Sequence, residues 1–174
     1  MSGFEPGAHL ETRGDAPAVI MGTSGEVVTY RQLDKRSSQG AHLFRSLGLK
    51  RGDHIAFLME NTLAFMEICW AAQRSGLYYT AISRYLTADE IAYIVKDCGA
   101  KILITTPKCA DAVVPLMAGA PGTVFFMTGT AQEGFRSWDT ETAKQPKTPI
   151  ADESALIRWM AGCTGYIRDQ VSGV

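Results

Sequence analysis

The chain has 174 residues, 46% of them hydrophobic, and a formal net charge of -1, so it carries the side chains for one ordinary core and no general attraction for nucleic acid. Its start, MSGFEPGAHLETRGD, shows no basic head followed by an apolar segment, and no later run is long and uncharged enough to span a bilayer, which predicts a soluble cytoplasmic protein. Cys69, Cys98, Cys109 and Cys163 are scattered without a CxxC, and His9, His42 and His54 lack metal-ligand spacing; reduced structural thiols and no structural metal are expected.

In chain order, Ala18 to Met21 and Glu26 to Thr29 flank GTSG, two extended apolar pieces around a glycine-rich turn, and predict a short antiparallel hairpin within an N-terminal region 1–28. An α/β core over 29–127 follows. Thr29 and Gln32 form a capping box, in which a hydroxyl and an amide side chain satisfy each other's backbone N–H groups, and Leu33, Ser37, Gly40, Phe44 and Leu47 then recur at helical spacing. Gly48 ends that helix, and Lys50, Arg51, Gly52 and Asp53 read as a polar turn with its charges in solvent.

Asp53 to Thr106 holds the strongest pattern: an apolar run Ile55 to Met59, a helix from Thr62 to Ser75 stopped by Gly76, and a second apolar run Leu77 to Ile82. Thr87 and Glu90 make a second capping box, Ile91, Ile94, Val95 and Cys98 share a helix face, Gly99 supplies the left-handed residue, and Lys101 to Thr105 is extended again. Such alternation predicts an α/β fold with a largely parallel sheet flanked by helices and right-handed crossovers. The Thr62 to Ser75 helix is apolar nearly all round, with Glu67, Gln73 and Arg74 as its strongly polar members, so it reads as a core helix. Asp89, Glu90 and Asp97 read as a solvated surface.

Beyond Thr106 the pattern weakens. Lys108 to Met117 predicts a short helix carrying Pro115, GAPG a turn, and Thr123 to Met127 another strand. Residues 128–154 read as loop, with Phe135 to Thr142 as a short amphipathic surface helix; 155–174 hold a last apolar strand, Ala155 to Met160, entering AGCTGYIRDQVSGV.

The segment WAAQRSGLYYTAISRYLTADEIAYIVKDCGAKILIT, with TYRQLDKRSSQGAHLFRSLGLKRGDHIAFLMEN before it, closely resembles the N-terminal region of the adenylate-forming, AMP-binding superfamily, most of all its fatty-acyl-CoA ligases. The likeness covers Thr29 to Gly165. It implies a single partial N-terminal domain over 1–174 and a two-step reaction of fatty acid metabolism. A carboxylic acid and ATP give an acyl-adenylate and pyrophosphate, with Mg2+ assisting, and the thiol of CoA then displaces AMP.

In that family a Ser/Thr/Gly-rich loop ending in x-Pro-Lys-Gly holds the phosphates, and the matching positions run from Gly162 to Asp169. Glycines let the backbone approach phosphate, hydroxyls and N–H groups cradle oxygens, and a cation adds charge. Gly162, Thr164, Gly165 and Arg168 are the phosphate-binding candidates that the resemblance implies. Cys163 replaces a hydroxyl, Ile167 the proline and Asp169 a glycine, so the loop is degenerate, and a tail that only echoes the motif remains the other reading. Ala81, Ile82 and Ser83 stand where family members carry proline, an aliphatic and asparagine, which loosens a turn. The family's glutamate for magnesium, aspartate for ribose, acyl tunnel and catalytic lysine have no counterpart in these 174 residues. The expectation is therefore a truncated ligase relative that is inactive alone and has no catalytic residue of its own. Two alternatives stand beside it: a non-catalytic interaction module, self-associating or bound to a partner, and one half of a split ligase completed by another chain.

Overall fold

The computed structural model describes residues 6–154. In order, the elements are α1 (Leu10–Arg13), β1 (Pro17–Ile20), β2 (Val27–Thr29), α2 (Tyr30–Ser46), β3 (His54–Leu58), α3 (Leu63–Arg74), β4 (Tyr78–Ile82), α4 (Ala88–Asp97), β5 (Ala100–Thr105), α5 (Ala110–Met117), β6 (Val124–Met127), β7 (Arg136–Ser137) and α6 (Trp138–Ala143). They fall into two compact units, each drawn from separated stretches of chain.

The first unit contains 6–51, 61–77 and 140–154 of the described residues. β1 and β2 pair antiparallel, as the turn chemistry predicts, with Ile20 opposite Val27. Both side chains of that pair are exposed. The Thr29 capping box is formed: Gln32 N–H donates to Thr29 Oγ1 at 3.3 Å and Thr29 N–H to Gln32 Oε1 at 3.0 Å. α2 packs against α3, burying Leu33, Ala41, Leu43 and Phe44 from one helix and Ile68, Cys69, Ala71 and Ala72 from the other.

Arg74, read from the sequence as a polar member of a core helix, is only 2% exposed. Its Nη2 donates to Asp34 Oδ1 at 2.8 Å, its Nη1 donates to Ser38 Oγ, and Glu153 Oε1 lies 3.3 Å from Nη1. A guanidinium with several donors is buried here because acceptors on α2 and on the 150–154 segment meet it, which no single-helix pattern reveals.

The second unit contains 52–60 and 78–139. Its five strands form one sheet in the order β4-β3-β5-β6-β7, every neighbouring pair parallel, as the strand–helix alternation predicts. Parallel sheets bury both faces. Ile55, Phe57, Ile102, Ile104 and Phe126 point to one face and are buried; Ala56, Leu58, Leu103, Phe125 and Met127 alternate to the other. The latter pack with Ile91 and Val95 of α4 and Val113 and Leu116 of α5. Full burial of a side chain such as Ile91 contributes about 1.5–3 kcal/mol.

α4 starts where the second capping box predicts, with Thr87 N–H donating to Glu90 Oε2 at 2.8 Å, and stops at Gly99, whose φ of 62° is the left-handed conformation that a side chain would strain. Asp53, expected in solvent, pairs with Lys101 Nζ at 2.7 Å. The stretch read as a surface helix from Phe135 to Thr142 is helical only from Trp138 onward, in α6. Arg136 and Ser137 add a fifth strand opposite Phe126 and Met127, and Trp138 is buried with its ring edge-on to Phe126, centroids 5.9 Å apart. A two-residue strand leaves no periodicity to read, and its register is set by β6.

Candidate functional site

In open parallel sheets, ligands lie beyond the carboxyl ends of the strands, at the point where successive connections leave in opposite directions. In the second unit that point is between β3 and β5, since β4 lies on one side of β3 and β5, β6 and β7 follow on the other. Thr105 Oγ1 donates to the carbonyl of Leu58 at 2.8 Å, tying the two strand ends together. Immediately beyond, Glu60 Oε2 accepts from Thr106 Oγ1 at 2.6 Å, Cys109 Sγ lies 3.8 Å from the same oxygen, and Lys108 Nζ lies 3.8 Å from Oε1.

Burial alone pushes the Glu60 carboxyl up, but the hydroxyl of Thr106, its own backbone N–H, Lys108 and Cys109 together hold it below the ordinary value of 4.5. Glu60 is therefore an ionised acceptor at neutral pH and a poor proton shuttle. Further along the edge, Thr128 N–H donates to the Thr105 carbonyl at 2.9 Å and Gly129 N–H donates to Asp139 Oδ2 at 2.6 Å. After β4 the loop presents Tyr85, 82% exposed, with the Arg84 guanidinium 4.8 Å from its ring centre. The residues Ala81 and Ile82, expected to loosen a turn, are strand residues opposite Phe57 and Leu58, and Ser83 Oγ accepts from Tyr85 N–H at 3.4 Å.

This edge is a polar lip with hydrogen-bonding capacity. The Glu60 cluster and its hydroxyl were missed by sequence reasoning. The available signal was a carboxylate and a Thr–Thr pair, each directly after an apolar strand run. Among the described residues, no group of three or more His, Cys, Asp or Glu side chains is placed to hold a metal ion.

Gly162, Thr164, Gly165 and Arg168 lie outside the described residues, as do Cys163, Ile167, Asp169 and the strand expected at Ala155 to Met160. The chain just before them is held within the first unit. Arg45 Nη2 pairs with Asp152 Oδ2 at 2.9 Å, Arg74 approaches Glu153, and Ser154 N–H donates to the Arg74 carbonyl at 2.7 Å. Hydrogen bonding from Arg45 holds the Asp152 carboxyl below its usual range. Cys69 and Cys109 are buried thiols; burial also pushes the half-buried Cys98 thiol up.

A parallel sheet whose strand order turns back at β3, with helices packed on it, defines the second unit as an α/β fold. Among solved structures, the chain is similar to an anthranilate CoA ligase, AuaEII, in complex with anthranoyl-AMP (TM-score 0.78, 20% identity, 88% of this chain and 30% of that one). It is also similar to a Mycobacterium tuberculosis fatty acyl CoA synthetase (TM-score 0.75, 20% identity, 86% and 29%). These likenesses establish the fold. The AMP-binding enzyme family matches residues 7–166, and the chain belongs to that family.

Curated relatives include the fatty acid–[acyl-carrier-protein] ligase ScoC of Streptomyces coeruleorubidus, 27% identical over 160 residues, and the long-chain-fatty-acid–CoA ligase FadD13 of Mycobacterium tuberculosis, 29% identical over 144. This chain spans 30% and 28% of their respective lengths. Among the described residues no helix is long and apolar enough to cross a membrane.

Proposed function

We propose that this chain is the N-terminal part of a fatty-acid–CoA ligase type of adenylate-forming enzyme, a single domain in family terms, that does not complete the reaction alone. The observation that carries this reading is the family match over residues 7–166 in a chain spanning under a third of its relatives. In the full reaction ATP supplies the adenylyl group, Mg2+ offsets phosphate charge and CoA supplies the thiol. The part assigned to this chain is narrower: Gly162, Thr164, Gly165 and Arg168 contact phosphate oxygens, with Asp169 opposing them electrostatically. Adenylation requires nucleotide, metal and carboxylate to be held together, and no catalytic residue is assigned among these positions.

The test is acyl-CoA formation from a fatty acid, ATP, Mg2+ and CoA by the purified cytoplasmic chain, alongside its thermal unfolding with and without MgATP. No turnover is expected alone, with a raised unfolding midpoint in MgATP by linkage. Turnover by the isolated chain refutes the incompetence. An unmoved midpoint refutes phosphate contact by the 162–168 loop. Turnover that appears only on mixing with a second polypeptide carrying the later motifs identifies a split ligase.

The exposed, directly paired Ile20 and Val27 favour a second reading, a non-catalytic interaction module whose hairpin meets a partner or another copy. A monomer at high concentration in light scattering, unchanged by Ile20→Ser, refutes self-association.

A further inference from the structure

A groove of about 580 Å³ lies between α4 and α5 in the second unit, near the amino ends of β5 and β6, away from the polar lip where ligands of such sheets are expected. Its size is that of a small-molecule pocket. The floor is apolar and buried, made by Val95, Ala100 and Leu116. Gly99 and Gly122 border it, and a Cβ at either position meets nothing within 4 Å, so the space at that end is open because side chains are missing.

The rim carries the chemistry. Asp89, Ala92, Tyr93 and Lys96 follow at helical spacing along the groove-facing side of α4, which places Asp89 and Lys96 about 10 Å apart along the axis. Tyr93 is 67% exposed despite its apolar ring. Among the described residues, neither the Tyr93 hydroxyl nor the Lys96 ammonium has a hydrogen-bonding or ionic partner, and the two sit one turn apart. Lys101, the other lysine on the lining, is neutralised by Asp53 at 2.7 Å. Two adjacent unengaged donors above an apolar floor match one acceptor anion with a hydrocarbon body, and Asp89 repels that anion from the opposite end.

We infer that the α4–α5 groove is a binding site for a small amphipathic carboxylate, its head on Lys96 and Tyr93 and its body over Val95, Ala100 and Leu116. The site needs no nucleotide and stands or falls independently of the 162–168 loop. It gives the chain a carboxylate-binding activity separate from ligation.

The experiment is equilibrium dialysis of the full chain with radiolabelled decanoate, without ATP. Saturable binding near one equivalent is expected. Lys96→Glu weakens it about tenfold or more, as loss of a charge-assisted contact and gain of a like charge require. Tyr93→Phe weakens it less, and Ala92→Trp, which fills the groove from an exposed helix position, abolishes it. Thermal unfolding of each variant shows that the fold is retained. Methyl decanoate, which has the body without the charge, binds more weakly. Wild-type-like binding by a folded Ala92→Trp or Lys96→Glu variant overturns the assignment, as do equal binding of the ester and the absence of saturable decanoate binding.

Discussion

Replacing Asp34 with alanine removes the carboxylate that faces Arg74 inside the first unit, and the structure lets the cost be worked out. Arg74 is 2% exposed and the Asp34 side chain 9%, so the surviving guanidinium cannot recover its lost partner from water. Breaking a buried pair from one side costs about 3–5 kcal/mol. Arg74 keeps Ser38 and, at 3.3 Å, the partly exposed Glu153, which places the expectation at the low end, about 3 kcal/mol. For a chain of this size that lowers the unfolding midpoint by about 6–12 °C.

Replacing both partners, Asp34→Leu with Arg74→Met, removes the buried charges together and is expected to cost less than the single change. Urea unfolding followed by circular dichroism at neutral pH measures both. A single-variant loss below about 1 kcal/mol, or a double variant less stable than the single, refutes the view that an uncompensated buried guanidinium dominates.

Thr87→Ala removes the hydroxyl that accepts from Glu90 N–H, and a loss of about 1 kcal/mol is expected by the same unfolding assay. Ile91→Ala, at a position with no exposed surface, is expected to cost about 2–5 kcal/mol, the spread reflecting how far α4 settles onto the sheet. For Glu60 the direction of pH dependence is fixed by its lowered carboxyl. The unfolded chain takes up the proton first as pH falls, so the stability from ionised Glu60 is present above the ordinary 4.5 and disappears as pH drops through the lower folded value. Glu60→Gln is therefore expected to be less stable than wild type at pH 7 and to converge with it in acid; a gap in unfolding midpoint that stays constant across a pH series refutes this.

Much of this fold is written locally. Thr29 with Gln32 and Thr87 with Glu90 state where two helices begin, Gly48, Gly76 and Gly99 state where three end, and apolar runs between them state the strands. What lies between elements is not local. The placement of β4 and β5 on opposite sides of β3 is decided by packing, the burial of Arg74 by acceptors 36 and 40 residues earlier, and the burial of Trp138 by contact with Phe126. The polar lip is not legible in the sequence for the same reason, since Glu60 and Thr106 are 46 residues apart. Tyr93 and Lys96, by contrast, stand one turn apart on α4, and only the position of α5 turns them into the rim of a groove.

The interleaving of the two units has consequences for biosynthesis. Because the first draws on residues 6–51, 61–77 and 140–154 and the second on 52–60 and 78–139, a ribosome that has released only the first half of the chain has finished neither. The α2–α3 pair can form early, but Arg74 waits for Glu153, and the sheet waits for Arg136 and Ser137 to complete its edge. A protease cut between β4 and β7 therefore divides the sheet between two pieces and leaves α2 and α3 on a different piece from the 150–154 segment, so such a nick is a sensitive reporter of whether newly made chains have closed.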